Sequence, residues 1–280
     1  MKSSLIALTL LLLLFNCKNE IEEQQHQNDE LFVEDISGLQ IDASDNLYNL
    51  DNKIYLPGLE FKFKYSYMDS VGQEYMFSRE GYELTPKSLV TNRTITDISF
   101  SIRHDKWNFK EDYYQTVAQY AYFVPKDEGE ALWPRTYSGI IENDVNVWMH
   151  PFRAHCYFRL LQLSPYPYIK RNLEIGDKWY WDLTTGNHYD CESWGTWEGG
   201  IKNEYEYYIT EKGILLETEL GELACDVVVG NGIGDLGPTK LVSYFNEKYG
   251  FVRLEYKNVN NSEMVIDLVG VMEEGEDTNK

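Results

Sequence analysis

The chain has 280 residues, enough for one large domain or two small ones, and its 43% hydrophobic and 15% aromatic content excludes a wholly disordered protein. A formal charge of −21 and a pI of about 4.6 set an acidic body against phosphate backbones and anionic headgroups, which excludes nucleic-acid binding by charge. Four cysteines are too few for a disulfide scaffold.

Met1-Lys2-Ser3-Ser4 lead into an apolar run from Leu5 to Phe15, followed by Asn16 and Cys17. One positive charge before a short apolar run is the pattern of a secretory signal. A membrane-spanning helix needs about 20 apolar residues, and no later stretch approaches that. The run ends on Cys17 and not on a small-x-small cleavage site. The segment resembles a bacterial lipoprotein signal, and Phe15-Asn16-Cys17 is similar to the endings of lipoproteins from Bacteroidetes. The resemblance implies that residues 1–16 are removed and that Cys17 is lipidated on sulfur to become the N-terminus. The implied place is the outer membrane, lipid-anchored, facing the periplasm or the cell surface. The implied membrane contact is made by acyl chains, at ~0.8 kcal/mol per buried methylene.

Residues 17–53 are dense in acids and sparse in apolar side chains, which predicts an acidic, disordered tether. A coil of that length has an r.m.s. reach of ~30–35 Å. Glu20, Glu22 and Glu23 loosely resemble the acidic cluster that marks surface export in some Bacteroidetes lipoproteins.

Residues 54–272 read as a single β-rich domain, and 273–280 as a frayed, charged tail. Leu59, Phe61, Phe63, Tyr65 and Tyr67 alternate with polar residues, which is the period of a half-buried strand. Ile98, Phe100 and Ile102 repeat it. Over 111–124 the spacing suits a helix or a strand equally. Ser164-Pro165-Tyr166-Pro167-Tyr168 is predicted extended or irregular, because each proline restricts the residue before it. Strands are then predicted over 178–183, 204–210, 214–218, 223–229, 241–245, 251–256 and 264–269, separated by turns at Gly221, at 246–250 and at 258–261. The fold class expected is mainly β with few helices: an antiparallel meander curved into a half-barrel or barrel.

The stretches Gly221-Glu222-Leu223-Ala224-Cys225 and Tyr244 to Leu254 look like Bacteroidetes lipoproteins. More distantly they resemble bacterial domains with a half-barrel like that of lipoprotein carriers. That resemblance implies a concave apolar face able to hold a hydrophobic or glycan ligand, and it brings no catalytic residues with it.

Trp179, Trp181, Tyr189, Trp194 and Trp197 crowd one short stretch, with Tyr180, Asp182, Asp190 and Glu192 among them. Aromatic faces stack on sugar rings and apolar ligands, and carboxylates orient hydroxyls, so these five are the candidate ligand-binding residues. Alternating tryptophans in a strand fill a core equally well. Cys156 and Cys191 are a candidate disulfide in an exported protein, with Cys225 left as a small buried hydrophobe. His150, His155 and Cys156, and His188 with Cys191, lack the spacing of a zinc motif, so no metal is expected. Asp190, Glu192 and Glu198 could supply a carboxylate pair for glycoside hydrolysis. No Gly-x-Ser-x-Gly or Gly-rich phosphate loop occurs, and no cofactor or catalytic residue is assigned. The function expected is a lipid-anchored, non-catalytic module that binds a glycan, a hydrophobic ligand or an envelope protein. The alternatives are a glycan-acting hydrolase and a purely structural envelope component.

Overall fold

The computed structural model describes residues 52–78, 83–89, 91, 93–103, 116–124, 136–153 and 156–273. The leader, Cys17, the tether to residue 51, His155 and the tail 274–280 lie outside the described residues.

The fold is mainly antiparallel β, as the alternation implies. Its strands are β1 (Leu59–Met68), β2 (Glu74–Phe77), β3 (Leu84–Pro86), β4 (Asp97–Ile102), β5 (Thr116–Phe123), β6 (Thr136–Glu142), β7 (Asn146–Met149) and β8 (Tyr168–Lys170). They continue with β9 (Lys178–Gly186), β10 (Gly200–Thr218), β11 (Gly221–Gly234), β12 (Gly237–Asn246), β13 (Gly250–Lys257) and β14 (Glu263–Glu273). Twelve of them form one path in the order β8-β7-β6-β5-β4-β1-β14-β13-β12-β11-β10-β9, with β2 and β3 paired beside β1. The segment 111–124 that suited two readings is strand where it is described. Only one α-turn, α1 (Cys156–Arg159), occurs among the described residues.

The path must curl. Strands lie about 4.8 Å apart, so β8 and β9, at opposite ends of the order, would stand roughly 53 Å apart in a flat sheet. Residues 171–177 alone connect them, and so short a segment spans at most about 29 Å. The ends therefore approach, and they do so through side chains: Tyr168 of β8 meets Trp179 of β9 at 5.6 Å between ring centroids. No ladder joins these two strands among the described residues. The result is a half-barrel whose open seam is filled by aromatic rings.

Inward-facing residues are aromatic or aliphatic on nearly every strand, including Phe61, Phe63 and Tyr65 of β1, Phe100 of β4, Tyr120 of β5 and Ile266 of β14. The bends are built locally. At 246–250 the Asn246 side chain accepts from the Lys248 and Tyr249 amides, and Gly250 takes φ +74°. A β-carbon at Gly250 would lie 2.3 Å from the Tyr55 hydroxyl, so glycine is required there twice over.

The N-terminal end of the described chain is pinned from below. Asn52 and Lys53, at the end of the segment read as tether, are already tied into the fold: Asn52 donates to Tyr55 O and to Thr116 Oγ1. The buried Glu142 carboxylate accepts from the amides of Lys53, Ile54 and Tyr55 at 2.9–3.2 Å. Arg171 approaches it at 3.5 Å.

Candidate functional site

The concave side of a curled sheet is where a ligand would sit, and here the chain occupies it. Residues 150–153 and 156–167, between β7 and β8, cross the interior. Phe152 packs on Phe63, Phe100 and Tyr120. Phe158 packs on Tyr65, Phe77 and Tyr122. Tyr166 meets Trp148 and Trp181, and Pro165 lies over Gly230 of β11. A single segment that touches strands from both halves of the path can do so only from inside the curl.

Such a segment has no ladder for its backbone, and side chains from the strands satisfy it instead. Tyr120 donates to His150 O, and Tyr122 to Arg153 O. Thr185 donates to Gln162 O and Thr239 to Leu163 O, both at 3.4 Å. The Tyr166 amide donates to the Tyr207 hydroxyl at 3.0 Å. Tyr120, Tyr122 and Tyr207 thus each supply apolar area and a hydroxyl that reaches a peptide group of the interior segment. Gly230 and Gly232 of β11 make room, since a β-carbon on Gly230 would fall 2.9 Å from the Tyr207 ring and one on Gly232 3.1 Å from Tyr205.

The aromatic residues offered as a ligand platform fall into two groups. Trp179 stacks on Tyr207 with their planes 9° apart, and Trp181 is enclosed by Trp148, Tyr166 and Tyr205. They are 4% and 2% exposed, so their faces are taken by other rings of the core. Tyr180, between them, points outward and bonds Glu206. Trp194, Tyr189 and Trp197 belong to the β9–β10 connection. Trp194 is buried, with Nε1 donating to Tyr189 O at 3.2 Å. Tyr189 and Trp197 are half-buried. The Tyr189 ring carries His188 at 4.0 Å, and its hydroxyl accepts from Arg153 at 3.3 Å.

The same connection brings Cys191 to Cys156, the first residue of α1, with the two sulfurs 3.6 Å apart. Burial, then the neighbouring Cys191 sulfur, push the Cys156 thiol up to about 12. Cys225 is buried on β11, with Leu223 O 3.6 Å away. Glu192 and Glu198 are exposed and Asp190 is half-buried on the loop. None of the three makes an ion pair with a described residue. Among the described residues, no group of three or more His, Cys, Asp and Glu side chains is placed to hold a metal.

His150 supplies a titration that the spacing of the sequence could not reveal. The residue keeps some exposure, but its Nδ1 is out of reach of water, and its ring lies 4.6 Å from Trp148. Burial first, and then the Arg153 charge, hold its pKa well below the usual imidazole value of 6.5. The unfolded chain takes up a proton below about pH 6.5 and the folded chain does not, so stability is full above that pH and falls below it. The expected slope approaches ~1.4 kcal/mol per pH unit. Urea midpoints of the wild type and His150→Gln between pH 5 and 7.5 check it. The wild type should lose stability more steeply with acid, and parallel curves would disprove the assignment.

No protein-family model matches the chain, and no curated protein matches it. Among solved structures it is similar to a candidate exported protein with a YmcC-like fold from Bacteroides fragilis, at 10% identity and a TM-score of 0.43, covering 82% of this chain and 100% of that one. A candidate lipoprotein from Parabacteroides distasonis gives 11% identity and a TM-score of 0.41, covering 81% and 99%. The hypothetical lipoprotein YmcC of Escherichia coli gives 7% and 0.32, covering 82% and 93%. At such identities these likenesses carry no information on ligand or activity.

Proposed function

We propose that the protein is a lipid-anchored component of the bacterial envelope that acts without catalysis, by presenting the outside of its half-barrel to another envelope protein. The observation that carries this reading is the filled interior: residues 150–167 take the place that a glycan or apolar ligand would use. The lipoprotein-like leader ending at Cys17 supports the anchor.

The outer surface offers one prominent element. Beyond Ile209, β10 pairs with β11 alone among the described residues, and β11 meets β12 only from Asp226 onward. Residues 211–225 thus form a two-stranded ribbon without further ladder partners among the described residues; Asn246 donates to Ala224 O and the Gly213 amide to Asp226 near its base, and Glu219 at its tip meets Lys64 of β1 at 3.1 Å. A strand edge without a ladder partner is where a strand from a partner can add. Leu215 on this ribbon is 65% exposed.

Two measurements in cells making the full chain test the reading. Cys17→Ala should move the protein from the membrane fraction to the soluble fraction. A photo-crosslinking residue at Leu215 should give one discrete adduct with a membrane protein, absent when the probe is at Ile175, which is equally exposed at 62%. Unchanged fractionation would refute the anchor. Equal or absent adducts at the two positions would refute partner binding through the ribbon.

A further inference from the structure

We propose that Cys156 and Cys191 become joined by a disulfide when the chain meets an oxidising compartment, and that this bond fastens the interior segment to the β9–β10 connection. The two sulfurs lie 3.6 Å apart, against about 2.05 Å in a disulfide, so closure asks for a shift of roughly 1.5 Å. Cys156 opens the short α1, and Cys191 stands in a tight turn, positions where side-chain rotation and a small backbone adjustment supply that shift.

The juxtaposition is built by other contacts. The Cys191 turn is closed by the Cys191 amide donating to Gly195 O at 3.1 Å and the Gly195 amide donating to Cys191 O at 2.8 Å. Gly195 takes φ +126° and packs on Leu236. Trp194 in the same turn lies 6.3 Å from Tyr157, the neighbour of Cys156. These contacts hold the two loops in register before any sulfur chemistry occurs. Cys225, buried on β11, is not beside either partner, so the described cysteines offer one pairing.

The step balances as a thiol–disulfide exchange. Two S–H bonds break and one S–S bond forms. Two protons leave, and two electrons pass to a disulfide oxidant, which is reduced to two thiols. The high thiol pKa of Cys156 disfavours the thiolate of the reduced form, the reverse of the thiolate stabilisation that makes a disulfide strongly oxidising. The bond closes a loop between residues 35 positions apart. In the chain-entropy picture such a closure raises Tm by about 10 °C in a domain of this size.

The test uses the full chain extracted from membranes in detergent, reduced, and then incubated with oxidised glutathione. Denaturation and maleimide labelling count the thiols, and peptide mapping identifies the link. The expected result is two thiols fewer, a peptide pair containing Cys156 and Cys191, and a Tm about 10 °C higher, all reversed by dithiothreitol. Cys225→Ser should keep the whole effect, while Cys191→Ser and Cys156→Ser should each abolish it and match the reduced wild type in Tm. An unchanged thiol count, a stable mixed disulfide with glutathione, or a link involving Cys225 would each overturn the proposal. The reduced wild type serves as the folded reference should either serine variant fail to fold.

Discussion

Glu142→Ala is expected to cost about 3–5 kcal/mol of folding stability, because it strips a buried anion from three backbone amides and from Arg171, which keeps only Asn143 O and the exposed Glu247 carboxylate. Glu142 is fully buried at the end of β6. Its two oxygens take the amides of Lys53, Ile54 and Tyr55, and Arg171 stands beside it. Removal leaves buried N–H groups and a guanidinium with little solvent access facing an apolar methyl. Glu142→Gln keeps one acceptor oxygen and should cost less than half as much. The consequences should extend beyond this residue. Tyr55 lies against Phe61, and its hydroxyl accepts from the Phe251 amide, so losing the clamp loosens the seat of the 246–250 turn as well. Urea unfolding of the three proteins decides the matter. An alanine variant within about 0.5 kcal/mol of wild type would mean that the three amides find other partners, as surface-like groups do.

Phe158→Ala should be comparably severe, at about 3–5 kcal/mol, since it deletes a fully buried ring where the interior segment meets β1, β2 and β5. Phe152→Ala should cost a similar amount against β1, β4 and β5. The two rings lie 6.4 Å apart, so the double variant should depart from additivity by 0.5–3 kcal/mol. A second readout separates cavity formation from unfolding. A dry apolar void within an otherwise intact barrel takes up benzene, so benzene should raise the Tm of Phe158→Ala and leave the wild type unmoved. If benzene stabilised the wild type equally, an open apolar site would already exist, and the filled interior on which the non-catalytic reading rests would be wrong.

Much of the sheet is legible from spacing. β1 and β9 through β14 each have one buried and one wetter face over most of their length, and a period of two survives there; β4 is buried on both faces and keeps the period because Ser99 and Ser101 fill its second face. β5 is buried along almost its whole length, which erases the alternation and leaves 111–124 readable as helix or strand. β2, β3, β7 and β8 are only three or four residues long, too short for any period to register. β11 runs through Gly230, Gly232 and Gly234 where the pattern reads as ending at Val229, because those glycines are spaces for the rings of Tyr205 and Tyr207 and for Asn203, and a missing side chain leaves no hydropathy signal.

The site divides in the same way. Trp179 and Trp181 are correctly placed on one strand face by alternation, but whether that face meets a ligand or the chain itself depends on residues 150–167, which arrive from the other end of the strand order. The proline pair at 165 and 167 marks this stretch as irregular, and its apolar run Leu160-Leu161-Gln162-Leu163 marks it as buried. No local rule says that a loop will cross the inside of a sheet. Composition and period-two alternation by themselves determined an acidic chain with an antiparallel β domain, because those properties follow from residue content and from nearest neighbours along the backbone. The tertiary structure alone decided that the concavity is filled, that Glu142 clamps a segment some ninety positions away, and that two cysteines 35 positions apart meet. Each of these is a contact between segments far apart in sequence, a constraint of geometry in space that no local pattern carries.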